Sequence, residues 1–151
     1  MLWPISHNKN SMIKKKIQTI LFFRNANKQK TFLLLRTNQR RKNFWQNITG
    51  SLDEGESFES AAIREAQEET GLIKSNIQNT SDLDLSFEFF DQWKEDVLEK
   101  CFAIEVKDQF PIQIDTSEHD QFKWVHEDEI NRDIVKFESN WKALEKAKTN
   151  L

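Results

Sequence analysis

The fold and the chemistry of this chain are concentrated in one stretch, Gly50–Leu72, which reads GSLDEGESFESAAIREAQEETGL. The chain has only three glycines, and all three lie in this stretch. Glycine permits a positive φ angle or a close backbone approach, so unusual backbone geometry is predicted here. The segment Ser57–Thr70 is predicted to form a helix, with Ser57 as the N-cap, three alanines as strong helix formers and Gly71 as the C-cap.

Three glutamates of this predicted helix share one side of it. At about 100° per residue, Glu65, Glu68 and Glu69 fall within an arc of about 100°. Like charges at this spacing destabilise a helix, which leaves two interpretations open: a solvated surface, or a site for a divalent cation. Carboxylate oxygens suit Mg²⁺ or Mn²⁺, which complete their shells with water and phosphate oxygens. Glu56 in the preceding loop can fold toward the same side, and Arg64 can orient Glu68 or form a simple helix ion pair with it.

Length and composition restrict the class of protein. The 151 residues fit one domain, and 12 Phe and 5 Trp are too many aromatic residues for a disordered chain. No apolar run approaches the roughly 18 residues that cross a bilayer, and residues 1–11 lack the apolar stretch of a secretory signal. A lone cysteine, Cys101, cannot form an internal disulfide, so a reducing, cytoplasmic location is expected. Because Met12 is a plausible start, we expect a single domain over residues 12–151 and an N-terminal extension over residues 1–11.

Charge is strongly segregated along the chain, although the formal net charge is only −3. The first 49 residues carry 11 Lys and Arg and no Asp or Glu, whereas residues 50–72 carry seven acidic residues against Arg64. A small polyanion held between basic residues and cation-loaded carboxylates would fit both signs, and a solvated basic face is the alternative. The chain is acidic as a whole, which disfavours a nucleic-acid partner.

Outside this stretch the pattern of apolar residues predicts mainly strands. The predicted strands are Lys16–Phe23, Thr31–Arg36, Phe44–Thr49, Asp82–Phe90, Leu98–Val106 and Phe122–Val125. A second helix is predicted over Phe137–Lys148, where Phe137, Trp141 and Leu144 form one apolar stripe.

The stretch Gly50–Leu72 resembles the Nudix box, G-x5-E-x7-R-E-U-x-E-E-x-G-U, in which U is aliphatic. All seven fixed positions match, and they are Gly50, Glu56, Arg64, Glu65, Glu68, Glu69 and Gly71. Ala66 and Leu72 occupy the aliphatic positions. The resemblance implies an α+β Nudix fold, with a mixed β-sheet sandwiched between α-helices. It also implies that water attacks a phosphorus and hydrolyses a nucleoside diphosphate linked to another group.

The resemblance also implies roles for individual residues. Glu65, Glu68 and Glu69 would hold Mg²⁺, with Mn²⁺ as a possible substitute, and the Gly50 carbonyl would be a further ligand. Glu56 would orient these groups. The implied catalytic residues are Glu69, Glu65, Glu118 and Arg64. Either Glu69 or Glu118 would accept the proton of the attacking water.

Weaker motifs are similar to one branch of the family, the dihydroneopterin triphosphate pyrophosphohydrolases. These motifs are Phe44-Trp45-Gln46, Thr49-Gly50-Ser51, Phe87-Glu88-Phe89-Phe90, Glu118-His119 and Ser139-Asn140. The similarity implies Glu118 as a metal ligand from a distant loop. It implies substrate contacts by Arg36, Thr49, Trp45, Phe87, Glu88, Phe89, Phe90 and a lysine of residues 14–16, taken as Lys15. For Phe87, Phe89, Trp45 and Arg36, an ordinary role in the core or on the surface is the alternative.

The resemblance therefore predicts a Mg²⁺-dependent hydrolase that cleaves a small-molecule triphosphate to a monophosphate and pyrophosphate. The substrate is dihydroneopterin triphosphate or a nucleoside triphosphate such as dATP. The choice is open because Asp91–Lys100 is short and acidic where that branch has an arginine-rich loop. A non-catalytic nucleotide sensor and a hydrolase of ADP-ribose or nucleoside diphosphate sugars are the alternatives. We expect a monomer or homodimer without membrane or nucleic-acid partners.

Overall fold

The structure is a computed structural model that describes residues 13–151. The expected extension at residues 1–11 lies outside the described residues. Seven strands and two α-helices are found in the described range. In chain order they are β1 (Lys14–Arg24), β2 (Lys30–Thr37), β3 (Trp45–Gln46), β4 (Ile48–Ser51), α1 (Phe58–Thr70), β5 (Ile77–Phe90), β6 (Asp96–Val106), β7 (His119–His126) and α2 (Glu138–Asn150).

The strands form one mixed sheet, as the resemblance to the Nudix box implies. Strand β1 runs parallel to β6, with Lys14 opposite Val97 at one end and Phe22 opposite Glu105 at the other. The other ladders are antiparallel and join β5 to β6, β1 to β2, β2 to β7, β1 to β4 and β2 to β3.

The centre of the sheet is split, and β3 and β4 fill the split. β1 and β2 pair only over Phe22–Arg24 and Lys30–Phe32. Farther from their connecting turn, β4 pairs with β1, and β3 pairs with β2. The prediction of one strand over Phe44–Thr49 is therefore wrong. The segment forms two short strands with different neighbours, and Asn47 lies between them.

Each face of the sheet is covered by one helix. Side chains alternate between faces along a strand, so Ile20, Phe22, Phe32 and Leu34 pack on the face that buries Leu144 of α2. The opposite face packs Leu21, Leu33, Leu35 and Ile48 against Ala66 of α1. The expected α/β/α sandwich is confirmed. We call the two sides of the sheet the α1 face and the α2 face.

Helix α1 begins and ends where its capping residues predict. The Ser57 side chain accepts a hydrogen bond from the Ser60 amide at 3.1 Å, and Gly71 adopts φ 78° at the C-cap. Buried alanines allow close approach to the sheet, where the Thr19 hydroxyl donates to the Ala62 carbonyl at 3.2 Å. The helix is thereby fixed against β1, which fixes its glutamates as well.

Strand β5 is longer than predicted and irregular in its middle. Strand β5 begins at Ile77 rather than at Asp82, and its register shifts between Asp82 and Ser86 around Asp84, which has φ 54°.

Cys101 is free and buried in β6. Among residues 13–151, neither helix has the length and hydropathy of a membrane span.

Candidate active site

Glu65 of α1 lies directly over the backbone of β4. A Cβ atom added at Gly50 would be only 2.2 Å from the Glu65 Cδ atom, well inside contact distance. Any other residue at position 50 would therefore displace this carboxylate. The glycine is required here by close approach to a neighbouring side chain.

Arg64 joins the loop before α1 to the carboxylates on the helix. Its Nε and Nη2 atoms donate to the two oxygens of Glu56 at 2.8 and 2.9 Å, a bidentate contact. Its Nη1 atom donates to Glu65 at 2.9 Å and to Glu68 at 3.1 Å, and Nη2 also donates to the Ser51 carbonyl. These bonds raise the pKa of Arg64 and hold the pKa of Glu56 below its ordinary value. Arg64 therefore fixes the positions of Glu56 and Glu65 relative to β4.

A second group of ligand atoms lies at the buried end of the same helix. One ligand atom each from Glu69, Glu118 and His119 lies within 4.8 Å of the others. Glu69 is only 2% exposed and His119 only 1%. Glu69 Oε2 and His119 Nδ1 have no hydrogen-bond partner among the described residues. Buried polar atoms normally have partners, and the unpaired Glu69 oxygen, with the Glu118 carboxylate beside it, fits a hard divalent cation.

Burial shifts the pKa values of both Glu69 and His119. Burial, reinforced by the nearby Glu118 and Glu65, raises the pKa of Glu69 to about 10. Burial and then the Arg41 charge lower the pKa of His119 to about 4. Both groups are therefore neutral near pH 7 without a cation, and the 3.6 Å approach of His119 Nδ1 to Glu69 Oε1 is not an ion pair. A bound dication would instead favour the carboxylate form of Glu69.

His119 is oriented from its other side by Gln46 of β3. The Gln46 Nε2 atom lies 3.2 Å from His119 Nε2. With the amide nitrogen as donor, Nε2 of the ring accepts and the ring proton is on Nδ1, which faces Glu69. A protonated Nδ1 cannot coordinate a metal, so in this arrangement His119 supports Glu69 and the carboxylates supply the ligands.

The loop that carries Glu118 is fastened to the turn after β2. The Asn38 amide donates to the Glu118 carbonyl at 2.9 Å, and the Asn38 side chain donates to the Ser117 carbonyl at 2.9 Å. Arg40 donates to the same Ser117 carbonyl, and Arg41 lies 3.4 Å from the Glu118 carboxylate. Asn38, Arg40 and Arg41 are not among the residues predicted from the sequence, in which the basic run at residues 40–42 is the available signal.

Glu68 does not join the Glu69 group, because its side chain is 59% exposed and bonds to Arg64. Arg36 and Trp45 are direct partners in the β2–β3 ladder, on the α2 face. The Arg36 guanidinium makes two bonds to Asp120 at 2.8 and 2.9 Å. The ammonium of Lys123 lies 4.2 Å from the centre of the Trp45 ring.

The other residues predicted to contact substrate are divided between the two faces. Phe87 packs on the α2-face core, and alternation puts Phe89 on the same side. Thr49 also lies on this side, opposite Gln18 in the β1–β4 ladder. By the same alternation the exposed Glu88 and Phe90 lie on the other side of β5, and Lys15 shares the α1 face with Ile17.

The sequence model for the NUDIX domain matches residues 14–146, which is most of the chain. The chain belongs to the Nudix family. Nudix hydrolases act on pyrophosphate bonds, and Glu56, Glu65, Glu68 and Glu69 lie in the Nudix box of this chain, whereas Glu118 lies outside it.

Solved structures of Nudix proteins share the whole fold. The Escherichia coli dihydroneopterin triphosphate pyrophosphohydrolase is 23% identical, with a TM-score of 0.75, over 93% of this chain and 100% of its own. A Caenorhabditis elegans Ap4A hydrolase complex is 20% identical, with a TM-score of 0.73, over 89% of this chain and 95% of its own. At these identities the likeness concerns the fold.

One curated relative bears a different name. A Myxococcus xanthus protein named octanoyltransferase is 38% identical over 96 residues, which is 62% of this chain. The chain spans only 26% of the length of that relative. The name describes a much longer protein, so acyl transfer is not carried over to the matched segment.

Proposed function

We propose that this Nudix hydrolase is a Mg²⁺-dependent pyrophosphohydrolase that cleaves a triphosphate to a monophosphate and pyrophosphate. The observation that carries the proposal is the buried carboxylate of Glu69. One of its oxygens lacks a partner among the described residues, and Glu118 and His119 lie beside it. A buried carboxylate oxygen without a hydrogen-bond partner is best explained by a cation that it coordinates.

In this proposal Glu65, Glu69 and Glu118 coordinate the cation. The Gly50 carbonyl and Glu68 are further ligands. When bound, the cation would neutralise phosphate charge and acidify a coordinated water. Arg64 keeps Glu56 and Glu65 in place through the bonds described above.

We place the proton acceptor at Glu118 rather than at Glu69. The Glu118 side chain is 33% exposed, whereas Glu69 is 2% exposed. A group that contacts solvent can pass the proton of the attacking water onward, and a buried ligand cannot do so as readily.

A triphosphate fits the charge around the carboxylates. Arg41 lies beside Glu118, and Arg40 contacts the same loop. Cation binding at Glu118 would free the Arg41 guanidinium to bind a phosphate, a partner that guanidinium groups bind well. A structural relative named for dihydroneopterin triphosphate supports the pterin substrate, and a nucleoside triphosphate such as dATP is the second candidate.

The proposal is tested by product analysis. Purified protein with Mg²⁺ is given dihydroneopterin triphosphate or dATP, and pyrophosphate, orthophosphate and monophosphate are measured separately. We expect pyrophosphate and monophosphate in equal amounts, and no turnover after chelation. Orthophosphate as the sole product, or activity that survives chelation, would overturn the assignment.

A further inference from the structure

Gln46 and His119 meet across strand β2 on the α1 face. Gln46 of β3 is the direct partner of Leu35 along one edge of β2. His119, at the start of β7, is the direct partner of Thr37 along the other edge. Paired residues project to the same face, and Leu35 belongs to the buried core under α1. The split in the sheet, which places β3 beside β2, therefore brings the Gln46 amide to 3.2 Å from His119 Nε2.

This contact decides which nitrogen of the His119 ring has a free lone pair. A neutral imidazole has one N–H group and one lone pair. The NH₂ group of Gln46 can donate but cannot accept, so Nε2 uses its lone pair and the ring proton is on Nδ1. Nδ1 lies 3.6 Å from Glu69 Oε1 and has no hydrogen-bond partner among the described residues. The nitrogen that faces the acidic group is thus the one that cannot coordinate a cation.

The position of this proton determines the chemistry of the ligand set. One ligand atom each from Glu69, Glu118 and His119 lies within 4.8 Å of the others. With the proton on Nδ1, only the two carboxylates of this group can coordinate, and the set contains oxygen alone. Carboxylate oxygens suit Mg²⁺, whereas imidazole suits Zn²⁺, copper, iron and nickel. A half-buried amide that is not itself a ligand therefore separates an oxygen-only site from one that includes a nitrogen.

We propose that Gln46 is a specificity-determining residue for the cation, and that it favours Mg²⁺ over Zn²⁺ by keeping the His119 proton on Nδ1. Gln46 acts through His119, so it is a positioning residue. A glutamate at position 46 would accept a hydrogen bond from Nε2–H and leave the Nδ1 lone pair toward Glu69. That is the carboxylate–histidine arrangement found at zinc ligands. The inference rests on the proposed function in one respect, because both require a cation at Glu69.

The first experiment locates the ring proton in the whole protein, without substrate or turnover. Long-range proton–nitrogen NMR correlations of nitrogen-15-labelled protein distinguish the Nδ1–H form of a histidine from the Nε2–H form. In the absence of added cation at pH 7, we expect Nδ1–H at His119 in the wild type and Nε2–H in folded Gln46→Glu. A wild-type His119 ring with its proton on Nε2, or with protons on both nitrogens, would overturn the inference.

The second experiment measures the choice of cation by calorimetry of Mg²⁺ and Zn²⁺ binding. Gln46→Glu should raise the ratio of the Mg²⁺ to the Zn²⁺ dissociation constant by about 10- to 100-fold, the range over which partners of metal-binding histidines alter metal affinity. The double variant Gln46→Glu/His119→Gln lacks the ring and should return to the wild-type ratio. An unchanged ratio in folded Gln46→Glu would overturn the inference.

Gln121→Glu is the matched control for the added charge. It places a new carboxylate at an exposed position of β7, two residues from His119, and should leave the ratio unchanged. A rise as large as that in Gln46→Glu would show that negative charge alone alters the preference, and it would contradict the role of the ring proton.

These measurements require no hydrolysis, so the inference and the proposed function can fail separately. The expected proton position and shift in ratio, with no pyrophosphate released from any triphosphate, would support the inference and contradict the function. Pyrophosphate release that chelation abolishes, with equal ratios in wild type and Gln46→Glu, would support the function and contradict the inference.

Discussion

The Glu65 carboxylate rests on the backbone of Gly50, and a Cβ atom at position 50 would be 2.2 Å from the Glu65 Cδ. Gly50→Ala should therefore displace Glu65 while leaving every ionisable group in the protein. We expect a loss of roughly 100-fold in kcat, because displacements of about 1 Å cost that much. Overpacking should also lower the free energy of unfolding by about 1–3 kcal/mol. Steady-state kinetics and urea unfolding measure the two effects.

Gly55→Ala is the matched control for this prediction. Gly55 has φ +76° and no atom within 4 Å of a Cβ built on it. Alanine there is strained by its backbone, at about 1–2 kcal/mol, but it reaches no carboxylate. Equal losses of kcat in the two variants would show that displacement of Glu65 is not the cause of the loss in Gly50→Ala.

Replacing the proposed acidic ligands should greatly reduce turnover without unfolding the protein. Glu69→Gln and Glu65→Gln are each expected to lose at least about 100-fold in kcat, because both remove proposed cation ligands. Burial already raises the pKa of Glu69 to about 10, so glutamine replaces a neutral group and thermal stability should change little. Turnover and thermal melting are compared with Glu59→Gln, an exposed glutamate in the first turn of α1. Wild-type rates in both ligand variants would refute the cation site.

Arg64→Lys tests the bidentate contact with Glu56. Lysine keeps the charge but not the two parallel donors, so the loop before α1 and the Glu65 carboxylate lose their common anchor. We expect activity to fall by about 10- to 100-fold, in line with other residues that orient metal ligands. Arg132→Lys is the control, because Arg132 pairs with Glu138 at the surface, where ion pairs contribute little. Equal activity of both variants would show that charge alone is sufficient at position 64.

Glu99 should make the protein less stable as pH rises. Burial raises its pKa above the ordinary value, against the opposing effects of Gln18 and Lys16. Between its unfolded and folded pKa values, the folded state binds more protons than the unfolded state. The free energy of unfolding therefore falls with increasing pH across that window. Glu99→Gln removes this term, so its stability relative to wild type should increase from pH 4 to pH 7.

Urea unfolding at pH 4, 5.5 and 7 measures this effect. Glu95→Gln serves as the control because its side chain is exposed and should not alter the pH dependence. A relative stability of Glu99→Gln that is constant or decreasing over this range would show that burial of the carboxylate has no cost.

Local signals account for what the sequence predicted well. Ser57 and Gly71 lie next to the helix they cap, so the bounds of α1 follow from neighbouring residues. The Nudix box likewise lies within one loop and one helix, so the contacts of Arg64 with Glu56 and Glu65 form between residues that are close in sequence. Runs rich in apolar residues located β1, β2 and β6 to within two residues at each end.

Contacts between distant segments account for what the sequence did not predict. The break between β3 and β4 depends on which neighbour each strand meets, and no residue within Phe44–Thr49 encodes that choice. The early part of β5 contains exposed polar residues such as Gln78 and Asn79, so it lacks an apolar pattern. Gln18 and Glu99 are 81 positions apart, and their hydrogen bond follows from the parallel register of β1 and β6.

Successive side chains of strand β4 project to opposite faces of the sheet. Gly50 must stay small because Glu65 occupies the space above it, whereas Thr49 and Asn47 face the other way. Substitutions of Asn47 or Thr49 therefore change the α2 face and leave the position of Glu65 on the α1 face unaltered. Two neighbouring positions of one short strand can thus be substituted with independent effects, because the sheet itself lies between the side chains that each position contacts.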